Sequence, residues 1–322
     1  MKTERFKNAI IVVLFLMSIT GLFGIEINVE GRAHDPSTIV CENGKFYFFY
    51  TGRGIPSKIS LDLTNWQEYR RVFETPLPWW TNIVADFRGS IWAPDIAKFN
   101  NRWHLYYSVS SWGRNRSAIG LAVNKTLDDS KPDYRWEDRG IVVESHNSDN
   151  YNTIDPAVFI DGEKVWLVFG SYWSGIKLIE LNPETGKRIS PNSPIYSLAS
   201  SQTRDIEAPF LYKRGAYYYL FVNYGQCCRG VNSTYNIRVG RSKNVAGPYI
   251  DKSGRDMRDG GGEIFLQTDK DKIGPGHSGI FKLNKTEYFS YHFYNANNNG
   301  RPSIMIRQLQ WDTNDWPVII KE

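Results

Sequence analysis

Short polar segments alternate with dense apolar runs along this chain, and the alternation recurs five times. Each repeat opens on a polar or aromatic residue near Pro or Gly, continues as an apolar strand, passes a turn and reaches an aromatic-rich strand. Turns such as Asn43-Gly44 and Asp161-Gly162 are typical of β-hairpins. The five openings are His34-Asp35-Pro36-Ser37, Ile91-Trp92-Ala93-Pro94, Ile154-Asp155-Pro156-Ala157, Ile206-Glu207-Ala208-Pro209 and Gly276-His277-Ser278-Gly279.

The second half of each repeat predicts further strands. The aromatic runs contain Phe49, Tyr106, Phe169, Phe221 and Tyr291, each fourteen residues after the second residue of its opening. A third strand follows in most repeats, and a shorter fourth strand is predicted at Trp66-Gln67, Arg135-Trp136 and Tyr249-Ile250. Three to four strands in every ~60 residues are typical of propeller blades.

The repeat count leads to a fold prediction. No amphipathic helix of useful length lies between the repeats, which argues against an α/β barrel. We therefore predict an all-β protein, a five-bladed β-propeller that occupies residues 25–322 as one domain. Two stacked β-sandwiches are the alternative.

The N-terminal segment has the pattern of a secretory signal. Lys2, Arg5 and Lys7 precede an apolar run over residues 9–23 that is shorter than the ~20 residues of a membrane span. We predict a signal peptide over residues 1–24 that is cleaved, with an uncleaved anchor as the alternative. The mature protein is then secreted, extracellular or periplasmic, and is not held at a membrane.

Composition narrows the possible functions. Hydrophobic residues make up 41% and charged residues 23%, which excludes a mainly disordered chain. Aromatic residues reach 15%, and they favour strands and also stack on sugar rings. The formal net charge of +5 is too small and scattered to indicate nucleic-acid binding. Three cysteines make no disulfide framework, so Cys227-Cys228 is either a vicinal disulfide or a pair of thiols.

The repeat register brings candidate catalytic residues together. The innermost strand of each blade lines the channel of a propeller, so Asp35, Trp92, Asp155, Glu207 and His277 are expected to converge. Carboxylates held close together cannot all ionise freely, and their pKa values separate into an acid and a base. Glycoside hydrolysis needs that pair. A divalent metal site is the rival interpretation.

Several segments in a fixed order carry a family resemblance. They are the five openings, Tyr107-Ser108-Val109-Ser110-Ser111-Trp112-Gly113, Gly170-Ser171-Tyr172-Trp173-Ser174-Gly175, Cys227-Cys228-Arg229-Gly230 and Gly274-Pro275-Gly276-His277. With them the chain resembles glycoside hydrolase family 43, and within it the endo-α-1,5-L-arabinanases, over nearly the whole mature length.

The resemblance implies a fold, a mechanism and roles for the acids. The fold is a five-bladed propeller and the mechanism inverts the anomeric centre. Asp35 matches the general base, Glu207 the general acid, and Asp155 the third acid that orients the donor and keeps its pKa raised. In an inverting enzyme the two carboxyl groups lie ~6.5–9.5 Å apart.

The resemblance also implies ligands for a metal and for substrate. His277 matches a histidine that holds a hydrated metal ion, usually calcium, although a simple hydrogen bond to an acid is the alternative. The candidate substrate-binding residues are His34, Trp92, Trp112, Asn152, Ser171, Trp173 and Arg301. Cys227-Cys228 is expected to floor part of the cleft.

These observations predict a secreted, monomeric hydrolase that cleaves internal α-1,5-L-arabinofuranosidic bonds of arabinan, the side chains of pectin. An exo-acting arabinofuranosidase or a β-xylosidase of the same family is the nearest alternative. A non-catalytic sugar-binding propeller and a metal-dependent hydrolase of non-sugar esters are the alternatives from other classes.

Overall fold

The structure is a computed structural model that describes residues 25–85 and 87–320. The predicted signal peptide over residues 1–24 lies outside the described residues. The strands, in chain order, are β1 (Glu26–Val29), β2 (Val40–Glu42), β3 (Lys45–Phe49), β4 (Gly52–Arg53), β5 (Ser57–Ser60), β6 (Trp66–Glu68), β7 (Ser90–Phe99), β8 (Arg102–Val109), β9 (Ser117–Asn124), β10 (Glu137–Ser145), β11 (Ala157–Asp161), β12 (Lys164–Phe169), β13 (Ile176–Leu181), β14 (Tyr196–Ala199), β15 (Ile206–Arg214), β16 (Tyr217–Tyr224), β17 (Asn236–Ser242), β18 (Glu263–Leu266), β19 (Lys272–Leu283), β20 (Thr286–Asn295), β21 (Arg301–Trp311) and β22 (Pro317–Ile319).

Helical structure is sparse in the described chain. It comprises α1 (Trp80–Ile83) and 3-10 turns at Gly230–Asn232, Met257–Asp259 and Ala296–Asn298. None of these helices is long and apolar enough to cross a bilayer, as far as residues 25–85 and 87–320 are concerned.

The strands form five antiparallel sheets, one for each sequence repeat. Blade 1 has the order β2-β3-β5-β6, blade 2 has β7-β8-β9-β10 with β4 beside β7, blade 3 has β11-β12-β13-β14, blade 4 has β15-β16-β17-β18, and blade 5 has β19-β20-β21. The predicted five-bladed β-propeller is therefore confirmed.

Blade 5 is completed by strands from both ends of the described chain. β1 pairs with residues 304–307 of β21, and β22 pairs with residues 309–311 of the same strand. Glu26 adds ion pairs to Arg307 at 3.2 Å and to Lys272 at 3.0 Å. The first and last strands are thus joined in one sheet, which closes the ring.

The aromatic strands supply the core between blades. Tyr47, Tyr107, Phe169, Phe221 and Phe289 lie on the second strands of the five blades, and each is completely buried. Burying a side chain of this size stabilises the fold by about 1.5–3 kcal/mol. The aromatic runs therefore account for much of the packing between neighbouring sheets.

Two of the three predicted fourth strands are wrong. Trp66-Gln67 does begin β6, but Arg135 and Trp136 precede β10, and the Asn124 side chain accepts a hydrogen bond from the Arg135 N–H at 3.0 Å. Ile250 forms only isolated bridges. The carboxylate of Asp251 caps the loop that follows, so the fourth strand of blade 4 starts only at β18.

Each blade enters its inner strand through a residue in the left-handed conformation. These residues are Asp35, Ala93, Asp155, Ala208 and His277, with φ angles of 50°, 46°, 56°, 49° and 61°. A proline follows in all of them but His277, and the residue before proline is disfavoured from the right-handed helical region. Their backbone N–H groups donate to side chains of the preceding blade, namely those of His292 at 3.2 Å, Thr51 at 2.8 Å, Ser108 at 3.0 Å, Asp155 at 3.1 Å and Asn223 at 2.9 Å. We call these five contacts the inter-blade hydrogen bonds.

Asp95 links three consecutive blades from a buried position. Its two carboxylate oxygens accept the backbone N–H groups of Thr38 and Val158, each at 2.9 Å. Thr38 leads into blade 1 and Val158 lies in blade 3, whereas Asp95 itself lies in β7 of blade 2. The side chain is 3% exposed and is outside the cleft described below, which assigns it to the framework.

Replacing Asp95 tests this role. We expect Asp95→Ala to destabilise the protein, because it leaves the partly buried N–H groups of Thr38 and Val158 without their acceptor, at about 1–3 kcal/mol each if water does not replace it. Urea denaturation followed by tryptophan fluorescence gives the free energy of unfolding. The matched control is Asp129→Ala, which removes an exposed ion pair to Arg70 and should cost at most about 1 kcal/mol. Equal losses in the two variants would contradict the framework role of Asp95.

Candidate active site

A cleft of about 480 Å³ lies where the inner strands of the blades begin. Its lining includes the three predicted acids and six of the seven predicted substrate-binding residues, namely Asp35, Asp155, Glu207, His34, Trp92, Trp112, Asn152, Ser171 and Trp173. The register of the repeats therefore brings these residues together as expected.

Arg301 is the exception. It is exposed at the start of β21 and is not among the residues that line the cleft. The preceding Gly300 packs so closely on the 3-10 turn at Gly230–Asn232 that a Cβ there would lie 2.7 Å from the Val231 nitrogen. The structure therefore places Arg301 on a hairpin end that packs on this turn, and its substrate contact stays a prediction.

Asp35 is surrounded by hydrogen-bond donors and imidazole rings. Thr51 donates its hydroxyl to Oδ2 at 2.7 Å, and His34 Nδ1 lies 2.8 Å from the same oxygen. His277 Nδ1 is 3.5 Å from Oδ1. Burial alone would raise the pKa of the Asp35 carboxyl, but the charge and hydrogen bond of His34, with the neighbouring imidazoles, hold that pKa well below its usual range. Asp35 is therefore ionised.

Glu207 lies in the opposite electrostatic environment. It is 8% exposed, and burial raises its pKa against the opposing effect of two hydrogen bonds. Those bonds come from the Tyr235 hydroxyl to Oε1 and from the Ser171 hydroxyl to Oε2, the latter at 2.7 Å. The charge of Asp35 raises the pKa further. Glu207 is the proton donor that this arrangement favours.

Asp155, the third acid, contacts the backbone next to Glu207. Its Oδ2 accepts the N–H of Ala208, the residue that follows Glu207, at 3.1 Å. Burial, together with the charges of Glu207 and Asp35, raises the pKa of Asp155 well above its usual range. The three acids are thus electrostatically coupled, with one ionised carboxylate opposite two groups that retain protons more strongly.

Aromatic side chains and a disulfide complete the walls of the cleft. Trp112 is 75% exposed, and its ring meets that of Trp92 edge-on at a centroid distance of 6.5 Å. Cys227 and Cys228 form a disulfide between adjacent residues and line the cleft. The Cys228 N–H donates to the Tyr294 hydroxyl at 2.7 Å.

Three side chains that could bind a metal ion lie close together at Asp35. Ligand atoms of His34, Asp35 and His292 lie within 4.8 Å of one another. However, Nδ1 of His292 accepts the Asp35 N–H, so its Nε2 carries the ring hydrogen, and Nε2 is a buried donor without a partner among the described residues. Calcium takes 6–8 oxygen ligands. This group offers one carboxylate and two imidazoles, so a calcium ion would need water oxygens to complete its shell; the predicted ligand His277 is not one of the three and lies beside them, with Nδ1 3.5 Å from Asp35 Oδ1.

Sequence reasoning missed the residues that orient the acids and His277. Thr51 follows β3, Ser108, Asn223 and His292 lie in the last four residues of β8, β16 and β20, and the fifth residue is Tyr235. Ser171, predicted only as a substrate contact, has the same place in blade 3 and donates to Glu207. The sequence did contain a signal for them. In every repeat a polar residue lies one or two positions after the aromatic residue that stands fourteen positions beyond the second residue of the opening.

Known proteins are similar to this chain over most of its length. The family described as Glycosyl hydrolases family 43 matches residues 28–317. The Bacillus subtilis protein "Extracellular endo-alpha-(1->5)-L-arabinanase 1" is 43% identical over 291 residues, which is 88% of this chain and 86% of the relative. The Cellvibrio japonicus "Extracellular exo-alpha-(1->5)-L-arabinofuranosidase ArbA" is 42% identical over 298 residues, covering 89% and 86%.

Solved structures are similar over the same range. The structure of Cellvibrio cellulosa α-L-arabinanase complexed with arabinohexaose superposes with a TM-score of 0.86 at 41% identity and covers 90% of this chain and 96% of that one. The Bacillus licheniformis GH43 endo-arabinanase gives a TM-score of 0.83 at 41% identity, covering 91% and 99%.

The hydrogen bond from Tyr235 gives a test of the electrostatics. Tyr235→Phe removes a donor that stabilises the charged form of Glu207, so we expect the pKa of Glu207 to rise. The measurement is a ¹³C NMR titration of labelled glutamate carboxyls, with Glu207→Gln assigning the resonance. Tyr212→Phe removes the matching tyrosine donor to Glu287 and should leave the Glu207 titration unchanged. A lower or unaltered pKa in Tyr235→Phe would refute the assignment.

Proposed function

Because the chain belongs to glycosyl hydrolases family 43, we propose that it hydrolyses internal α-1,5-L-arabinofuranosidic bonds of arabinan with inversion. The observation that carries the proposal is the opposite displacement of two carboxyl pKa values in one cleft, lowered at Asp35 and raised at Glu207. Pairs of titratable groups whose environments separate their pKa values mark acid and base assignments.

The reaction needs one proton transfer at each carboxyl group. Asp35, as the carboxylate, removes a proton from a water molecule while the water oxygen attacks the anomeric carbon. Glu207, as the carboxylic acid, donates its proton to the glycosidic oxygen as the bond between that oxygen and the anomeric carbon breaks. The products are a sugar with an inverted anomeric hydroxyl and a shortened chain, and a proton must return from Asp35 to Glu207 by way of solvent.

Asp155 has a supporting part in this scheme. It holds the backbone beside the acid through the Ala208 N–H, and burial, with the charges of Glu207 and Asp35, raises the pKa of Asp155 itself, so Asp155 retains its proton beside the acid. The Ser171 hydroxyl orients Oε2 of Glu207 in the same way from blade 3. The donor proton is therefore presented in a fixed direction.

The walls of the cleft suit a chain of neutral sugars. Trp92, Trp112 and Trp173 offer aromatic faces beside the acids, and Asn152 and His34 offer polar groups. The relatives include enzymes named for endo and for exo action, so the mode of cleavage is the part of the proposal that product analysis decides. Both relatives named above are described as extracellular, and residues 1–24 resemble a secretory signal. We therefore expect the enzyme to act outside the cytoplasm, in the extracellular space or the periplasm. We also expect it to act as a monomer.

A hydrated calcium ion at His277 is part of the proposal. His277 would supply the protein ligand and water the oxygens that calcium prefers. When bound, the cation supplies positive charge beside Asp35, which favours the carboxylate form. The two proton transfers described above proceed on the carboxyl groups of the chain.

The calcium prediction concerns binding first. Isothermal titration of the metal-free protein with CaCl₂ should show one site that His277→Ala removes, whereas His104→Ala, which alters a buried histidine on β8, retains it. Unchanged binding in His277→Ala would exclude this residue as the ligand.

Product analysis on linear debranched arabinan tests the function itself. Wild type should release a ladder of short oligosaccharides, and ¹H NMR of the first products should show the inverted anomer. Glu207→Gln should lose about 10²–10⁴-fold in rate on arabinan, as expected for a general acid. It should lose far less on a 4-nitrophenyl arabinofuranoside, whose leaving group needs no proton, whereas Asp35→Asn should be inactive on both.

Other outcomes would change the proposal in defined ways. Arabinose as the sole product would replace endo by exo action while keeping the acid and the base. Release from xylan alone would move the substrate within the family. Binding of arabinan without any cleavage would favour a sugar-binding propeller.

A further inference from the structure

We propose that His292 is a positioning residue whose ring sets the separation between Asp35 and Glu207. The catalytic roles of those two acids rest on the function proposed above. The role of His292 rests on its own contacts, which reach the environment of both acids from one buried place on β20.

The first contact is with the backbone of Asp35. The N–H of Asp35 donates to Nδ1 of His292 at 3.2 Å, across the boundary between blades 1 and 5. It is one of the five inter-blade hydrogen bonds, and in the other four the acceptor is a hydroxyl, a carboxylate or an amide. An aromatic ring is more than this hydrogen bond requires, because the Asn223 side chain does the same for His277.

The ring makes two additional contacts, both with other rings. It stacks on His34, with centroids 4.1 Å apart and an interplanar angle of 26°. It also stacks with Tyr235, at 6.1 Å and 25°. His34 is the partner of Asp35 Oδ2, and the Tyr235 hydroxyl donates to Glu207 Oε1. The imidazole thus contacts both the ring that orients Asp35 and the ring that orients Glu207.

The surrounding structure leaves this stack little freedom. His292 is completely buried, and the Tyr294 ring packs edge-on against it at 5.5 Å. Gly276 pairs with His292 across the sheet, and a Cβ on Gly276 would lie 2.5 Å from Cδ2 of Tyr235. Tyr235 is therefore confined on the Gly276 side as well. Replacing the His292 ring with a side chain of another shape should therefore shift His34 or Tyr235. Either shift would move the carboxyl group that the ring contacts, Asp35 or Glu207.

Two substitutions separate the ring from the hydrogen bond. His292→Asn keeps an acceptor for the Asp35 N–H, just as Asn223 of blade 4 accepts the N–H of His277, but it removes the stack. His292→Phe keeps a ring and removes the acceptor. Ser290→Ala is the matched control, since Ser290 is a completely buried polar residue two positions earlier on the same strand and has no contact with the acids.

Crystal structures of the variants and steady-state kinetics on arabinan give the readouts. For His292→Asn we expect a changed distance between the Asp35 and Glu207 carboxyl oxygens and a fall in kcat on the order of 10²-fold, because a misplacement of about 1 Å costs that much. KM should stay within about twofold. His292→Phe should recover part of kcat and most of the wild-type separation, and Ser290→Ala should match wild type in both.

Each result decides the proposal. An unchanged separation and kcat in His292→Asn would overturn it, and so would a smaller loss in His292→Asn than in His292→Phe, which would assign the hydrogen bond alone. An equal loss in Ser290→Ala would reduce the effect to general damage of β20. The carboxyl separation is measured without substrate, so it tests the inference even where wild type cleaves no arabinan, a result that would refute only the proposed function.

Discussion

The site depends on hydrogen bonds from the backbone of one blade to a side chain of the blade before it. A non-glycine residue in the left-handed region is uncommon and costs of order 1–3 kcal/mol. Here five such residues begin the inner strands, and none of them is glycine. The neighbouring side chain accepts the N–H that this conformation directs toward it, which compensates part of the cost. Because Asp35 and Asp155 are two of the five residues, the contacts that join the blades also place two of the three carboxyl groups proposed to act in catalysis.

The repeat pattern predicted the fold and most of the site because both follow the same periodicity. Openings with a shared register converge on the channel in any propeller, so Asp35, Asp155 and Glu207 were found without knowledge of their contacts. The edge strands were harder, since side-chain caps such as those of Asn124 and Asp251 decide where pairing resumes. The place of Arg301 outside the cleft lining could not be predicted either, because its hairpin is positioned by the close approach of Gly300 to Gly230, which no local pattern encodes.

The residues that tune the acids were invisible for a different reason. A serine, threonine or asparagine at the end of a strand is common, and its meaning here comes from the neighbouring blade. Ser171 and Tyr235 contact Glu207 from blades 3 and 4, and Thr51 contacts Asp35 from within blade 1. The pKa difference between base and acid is thus a property of the assembled ring. It arises because imidazoles surround the Asp35 carboxylate, whereas Glu207 is buried beside the charge of Asp35.

The environment of the base also ties the chemistry to closure of the propeller. Asp35 lies near the beginning of the described chain, and the imidazoles of His277 and His292 come from the last blade. That blade is complete only when β1 pairs with β21 and Glu26 meets Arg307. The acceptor of the Asp35 backbone N–H and two of the three imidazoles beside its carboxylate therefore belong to the sheet that the first and last strands complete, so the environment of Asp35 requires an intact blade 5.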